Sequence, residues 1–187
     1  AYRWHPGSSQ QDGERYYRAY LALLNRLYAR SDLPTDVRAE QPALYAHYHV
    51  LGACYAYSAG QVQTGQDRLL QAAALQPKIL HGSPPSILAT IARAAQEDGV
   101  ADSAGLVEAL FSALPPQLTQ LRPYRRYTLS ALHMQRVFTA HTEGTRPRLA
   151  DWILGVYLYP HWLKNRGVWS ILVRDIALRP TVSKEIR

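Results

Sequence analysis

The sequence predicts an all-α fold, an irregular stack of antiparallel helical hairpins. Three observations predict it. Ala, Leu, Gln and Arg are abundant while Phe, Ile and Val are thin, a mix that favours helix over strand. Apolar residues recur at helical spacing, and no segment keeps a period of two for long. Proline and glycine fall between these periodic segments and divide them into about eight helices. With 187 residues, 47% hydrophobic, the chain can fill one ordinary core or two small ones.

The first helix is expected from near Ser9 to Arg30, with Asp12 and Glu14 at the positive end of its dipole and Tyr17, Leu21, Leu24 and Tyr28 on its apolar stripe. Pro34 ends it. A second helix spans about Asp36 to Ala59, with Pro42 dividing its first turn from the rest and Gly60 as C-cap. A third covers about Thr64 to Leu75, and His81 to Pro85 form a loop. The fourth opens near Pro85 and ends near Gly99; the fifth runs from Asp102 to Leu114. A long sixth is expected from Pro116 to His141, interrupted at Pro123. Two short helices, about 148–159 and 168–178, precede a frayed tail from Pro180.

Composition narrows the function. The single cysteine, Cys54, allows no internal disulfide and fits a reducing compartment; mid-helix among apolar neighbours, it reads as a buried structural thiol. The longest apolar stretch, Trp152 to Tyr159, is far short of the roughly 20 residues that span a bilayer. Charge is uneven: residues 121–187 hold 12 Lys/Arg against 4 Asp/Glu, whereas 1–120 hold 9 against 10. A basic half suits an anionic surface or an acidic partner. Nucleic acid is not expected, because the arginines are spread among turns without a recognition motif.

The local patterns that mark catalysis are missing, while a Ser/His/Asp or Cys/His triad assembled by the fold stays open at this stage. There is no Asp-x-Asp pair to hold a divalent ion against a diphosphate, no Gly-rich phosphate loop and no nucleophile elbow. Glu97-Asp98 reads as a solvated helix end. His47 and His49 lie about 200° apart on a helix and face opposite ways, and His133 and His141 sit about 12 Å apart, too far to share a metal. No metal site is therefore expected in this chain. The tyrosines Tyr16, Tyr17 and Tyr20 have faces that stack on sugar rings, but at helical spacing they read first as core or core edge.

Two stretches carry a resemblance. Ala1 to Ser9 reads AYRWHPGSS, a Tyr-Arg-x-His-Pro-Gly-Ser string running into a helical pattern. Near the other end stands Tyr159-Pro160-x-Trp162-Leu163-x-Asn165-Arg166-Gly167-Val168-Trp169-Ser170. Together they resemble the closing segment of the catalytic domain, and the tail, of bacterial family 2 glycosyltransferases. The resemblance implies that residues 1–9 end a catalytic domain and that 10–187 form a non-catalytic helical accessory domain. Arg3 and His5 would then be remnants of the donor site. It further implies that the parent enzyme uses a divalent metal and a nucleotide sugar, neither of them held by this chain. The expected partners are the chain's own catalytic domain, a second copy in a homodimer, and peripherally the membrane, with the protein cytoplasmic at its inner face. On the last helix Trp169 shares an apolar face with Leu172 and Val173 beside Arg166 and Arg174; with Trp162 they form the candidate membrane or partner face.

Residues 45–77 resemble a tetratricopeptide hairpin, a helix-turn-helix unit of about 34 residues. The first helix supplies Tyr48, Leu51, Gly52 and Tyr55; the second supplies Gly65, Leu69, Ala72 and Pro77. The two glycines would let the helix axes approach while Tyr48, Tyr55 and Leu69 fill the groove. A free-standing helical-repeat module for protein binding is the alternative function.

Overall fold

A computed structural model describes residues 13–97, 100 and 102–177, with only the backbone for 175–177. Among these residues the secondary structure is helical, apart from one isolated bridge between Gly82 and Pro85. The chain divides into two compact units, residues 1–128 and 129–187, where the sequence suggested a single helical domain over 10–187.

The first unit is built around one helix. Helix α1 spans Gly13–Tyr28, α2 Thr35–Ala39, α3 Gln41–Ser58, α4 Val62–Leu75, α5 Ile87–Ala94 and α6 Ser103–Ser112. Against α3 pack α1, α4, α5 and α6, so every residue from Leu51 to Tyr57 is buried. The expected break at Pro42 is present: α3 carries that proline in its first turn, where a missing N–H costs nothing. Gly60 closes α3 with φ +72°, a conformation that side chains with a Cβ rarely adopt. Helix α4 turns Gly65, Arg68, Leu69 and Ala72 inward, one face of a 3.6-residue period. Asp102 caps α6, its Oδ1 accepting from the Gly105 N–H at 2.8 Å.

The expected sixth helix is only half α-helical. Pro116–Tyr124 is a 3₁₀ segment with a kink at Leu118, and α7 begins at Arg125 and runs to Thr142. Pro115, Pro116 and Pro123 remove the donors an α-helix needs here, and the three-residue period puts Leu118 and Leu121 on one buried side. The fourth helix is also shorter than expected, ending at Ala94.

The second unit holds the rest of α7, then α8 (Leu149–Leu158), a 3₁₀ turn (Pro160–Lys164) and α9 (Arg166–Ile171), which widens into a π-turn over Leu172–Ala177. Gly155 of α8 lies against Met134 of α7; a Cβ there would sit 2.6 Å from the sulfur. Asn165 caps α9 by accepting from the Gly167 N–H at 2.9 Å. Among the described residues no helix is long and apolar enough to cross a membrane. Arg3, His5, the expected helix start at Ser9 and the tail from Pro180 lie outside the described residues.

Candidate functional site

The densest chemistry of the first unit lies where α1, α3 and α5 meet. Tyr16 and Tyr20, one turn apart on α1, have ring centres 4.6 Å apart. Tyr20 stacks on Tyr48 of α3 at 4.4 Å, and Tyr16 meets Tyr55 edge-on at 6.2 Å. The Tyr55 hydroxyl donates to Glu97 at 2.6 Å. His47, beside Tyr48, takes a 2.8 Å hydrogen bond with the Arg93 guanidinium, which donates, so Nε2 accepts. The result is a half-buried sheet of tyrosine rings edged by a neutral imidazole, a guanidinium and a carboxylate.

Its electrostatics hold the phenols protonated and the imidazole neutral. Burial, then the neighbouring Tyr20, pushes the Tyr48 phenol up to about 12. Burial and Tyr20 also raise Tyr16, and burial with the Glu97 bond raises Tyr55 further. These phenols stay protonated and serve as donors and stacking faces. Burial, then Arg93, lowers His47 and keeps it uncharged near neutral pH.

A second knot lies on the other side of α3. Tyr17 is buried, with its hydroxyl 2.9 Å from His49 Nδ1. The Arg68 guanidinium stacks over the Tyr17 ring at 4.0 Å, donates to the Gly52 carbonyl at 2.8 Å and pairs with Glu14 at 2.8 Å. Glu14 also pairs with Arg18. His47 and His49 thus face opposite partners, as their spacing requires.

In the second unit His133 Nδ1 lies 2.8 Å from Asp151, and Arg136 reaches the same carboxylate at 3.6 Å. Ser130 donates to the Gly155 carbonyl and accepts from the Trp162 indole at 2.9 Å.

The hairpin residues are placed differently from the sequence expectation. Helices α3 and α4 are the most extensively packed pair, and Leu51, Leu69 and Ala72 are buried. Gly65 does make room between them: a Cβ there would lie 2.6 Å from the Tyr57 ring of α3. Gly52, however, accommodates Tyr17 of α1, whose ring would be 2.4 Å from its Cβ. Tyr48 and Tyr55 likewise turn toward α1 and Glu97 and do not fill the α3–α4 groove. The reason is that α3 is covered on several sides, so its small residues serve more than one neighbour. Pro77 opens a 3₁₀ turn, Pro77–Leu80, after α4.

Of the candidate membrane or partner face, Arg166, Trp169 and Arg174 are exposed. Trp162 is only partly exposed: its ring meets Phe138 edge-on at 5.9 Å and its N–H is used by Ser130. Cys54 is fully buried, and burial pushes its thiol up to about 12.

Sequence reasoning missed Arg68 and underrated Glu97. The available signal for Arg68 was its register: it falls three residues after Gly65 and one before Leu69, on the inward stripe of α4. Among the described residues no three His, Cys, Asp or Glu side chains converge as metal ligands. Comparison with family models, curated proteins and solved structures finds no match to this chain.

Proposed function

We propose that this chain is a non-catalytic accessory domain of a glycosyltransferase acting in surface polysaccharide or glycoconjugate synthesis. One observation supports the non-catalytic part: several side chains of types used in acid–base work are engaged in pairs that tie separate parts of the fold together. His49 is held to Tyr17, Glu14 to Arg68, Tyr55 to Glu97, His47 to Arg93 and His133 to Asp151. Cys54 is sealed from solvent. The parentage rests on the sequence resemblance at 1–9 and 159–170.

On this reading the domain stabilises its catalytic half, pairs it with a second copy, or shapes the acceptor side. The tyrosine sheet of α1 and α3 suits that last task, since aromatic faces with protonated hydroxyls stack on and hydrogen-bond to sugar rings. The divalent metal and the nucleotide sugar belong to the catalytic half. Titration calorimetry of the chain with nucleotide-diphosphate sugars, with and without Mn²⁺ or Mg²⁺, tests the reading. No heat of tight binding and no turnover are expected, while the catalytic half should capture the chain. Tight donor binding or sugar transfer by the chain alone would refute it.

A further inference from the structure

Helix α8 is turned the wrong way round for a helix facing water. Its sequence, LADWILGVYL, contains one charged residue, Asp151. That carboxylate is buried, held by His133 at 2.8 Å and Arg136 at 3.6 Å. Gly155, one turn on, is buried against Met134. The opposite face therefore points outward, and it is apolar: Leu149, Ile153 and Tyr157 follow one another at i, i+4 and i+8, with Leu154 beside them. Ile153 is 51% exposed and Tyr157 70%.

The exposed apolar surface continues onto α9. Trp169 meets Trp152 of α8 edge-on at 5.9 Å, and Trp169 and Val173 are themselves exposed. Flanking these residues along the chain are Arg148 just before α8, Lys164 just before α9, Arg166 as the first residue of α9, and Arg174 in the π-turn, all exposed. Between Arg146 and Arg174 the only acid is Asp151, and it faces inward. An exposed apolar face flanked along the chain by cations, with Asp151 the one acid between Arg146 and Arg174, is uncommon on a surface meant only for water.

We propose that the α8–α9 face seats on an anionic lipid surface. Charge selects the occupant. A second copy would bring the same cations against these, so pairing through this face is opposed. An anionic bilayer supplies both an apolar layer for Leu149, Ile153 and Leu154 and a negative headgroup plane for the arginines and lysine. Tyr157 and Trp169, aromatic with a polar edge, suit the boundary between the two. At ten residues α8 is about 15 Å long, so it lies in the interface and does not cross it. The inference goes beyond the proposed function and does not depend on which enzyme the chain serves.

The test is co-sedimentation of the full chain with phosphatidylcholine vesicles, with and without phosphatidylglycerol. Binding is expected only to the anionic vesicles and should weaken with salt. Ile153→Ser with Tyr157→Ser, both at exposed positions, should reduce it by roughly tenfold or more while leaving the melting temperature unchanged. Arg166→Ala with Arg174→Ala should reduce it by roughly thirtyfold, at about fivefold per cation. Absence of binding to phosphatidylglycerol vesicles would overturn the proposal. So would equal binding by the Ile153→Ser, Tyr157→Ser variant, or light scattering that shows a dimer abolished by those substitutions.

Discussion

Replacing Gly52 by alanine tests how α1 is seated on α3. The added Cβ would lie 2.4 Å, 2.6 Å and 2.9 Å from three ring atoms of Tyr17. Carbon atoms rest at about 3.5–4.0 Å, so the ring must retreat by about 1 Å. It has little freedom to do so. Its hydroxyl is tied to His49 at 2.9 Å, and Arg68 stacks on its face at 4.0 Å while bonding the carbonyl of Gly52 itself. Overpacking of this kind costs about 1–3 kcal/mol, and disturbing a desolvated cation–π contact costs up to about 2 kcal/mol. Alanine returns about 1 kcal/mol through its higher helix propensity. The net expectation is a loss of about 2 kcal/mol, which for a chain of this size lowers the melting temperature by roughly 4–8 °C. Circular dichroism melts of Gly52→Ala measure it directly. In a Tyr17→Leu background, where the ring is gone, Gly52→Ala should become neutral or stabilising. A Gly52→Ala single variant that melts at or above the parent would refute the account.

Two further outcomes follow from the same unit. Arg68→Met removes the stack on Tyr17, the bond to Gly52 and the ion pair with Glu14, and should lower stability by about 2–3 kcal/mol in urea titrations. Adding Glu14→Gln should recover part of that loss; an unchanged urea midpoint for Arg68→Met would count against the knot. Stability should also fall in mild acid. Burial, then Arg93 for His47 and Arg68 for His49, lowers both imidazoles below 6.5 in the fold. The unfolded chain therefore takes up protons first. Stability is complete above about pH 6.5 and declines as pH drops through that value toward the lowered folded pKa values. Urea midpoints recorded across that range should show the decline, and His47→Gln with His49→Gln should flatten it. A parent profile already flat between neutral pH and pH 5 would remove the basis for it.

How far the sequence could be read depends on whether a feature is local. Gly60 and Pro42 were legible because φ > 0 and a missing N–H constrain the backbone at one residue, whatever surrounds it. The 3₁₀ segment Pro116–Tyr124 was misread as α-helix because Leu118 and Leu121 share a side at a spacing of three, which both helix types allow. Gly52 was legible as a contact glycine, but periodicity states only that a residue faces inward and not which neighbour it meets. With α3 covered by α1, α4, α5 and α6, the choice of α1 was a tertiary matter. The candidate site divides the same way. The pairing of Tyr16 with Tyr20 follows from one turn of helix, whereas Tyr55 with Glu97 and Arg93 with His47 join residues more than 40 positions apart. Trp162 and Trp169 looked alike in sequence; only tertiary partners, Phe138 and Ser130, cover part of the first.

Helix α8 shows the limit of patterning most clearly. A helix apolar all round is ordinarily buried all round, and its lone charge would ordinarily mark the side left to water. Here Asp151 takes the inner side, and a buried carboxylate needs compensation, which His133 and Arg136 supply. The inner side is also filled by Gly155 against Met134, with the Gly155 carbonyl held by Ser130. These polar and small contacts fix the rotation of the helix at the expense of Leu149, Ile153, Leu154 and Tyr157, which are left outside. In water alone that orientation leaves Leu149 and Ile153 half exposed, forfeiting about 1 kcal/mol each, and spends a charge in the interior. Against a second apolar phase the balance changes sign, because the same rotation delivers those side chains to it and keeps the helix's one anion away from a negative surface.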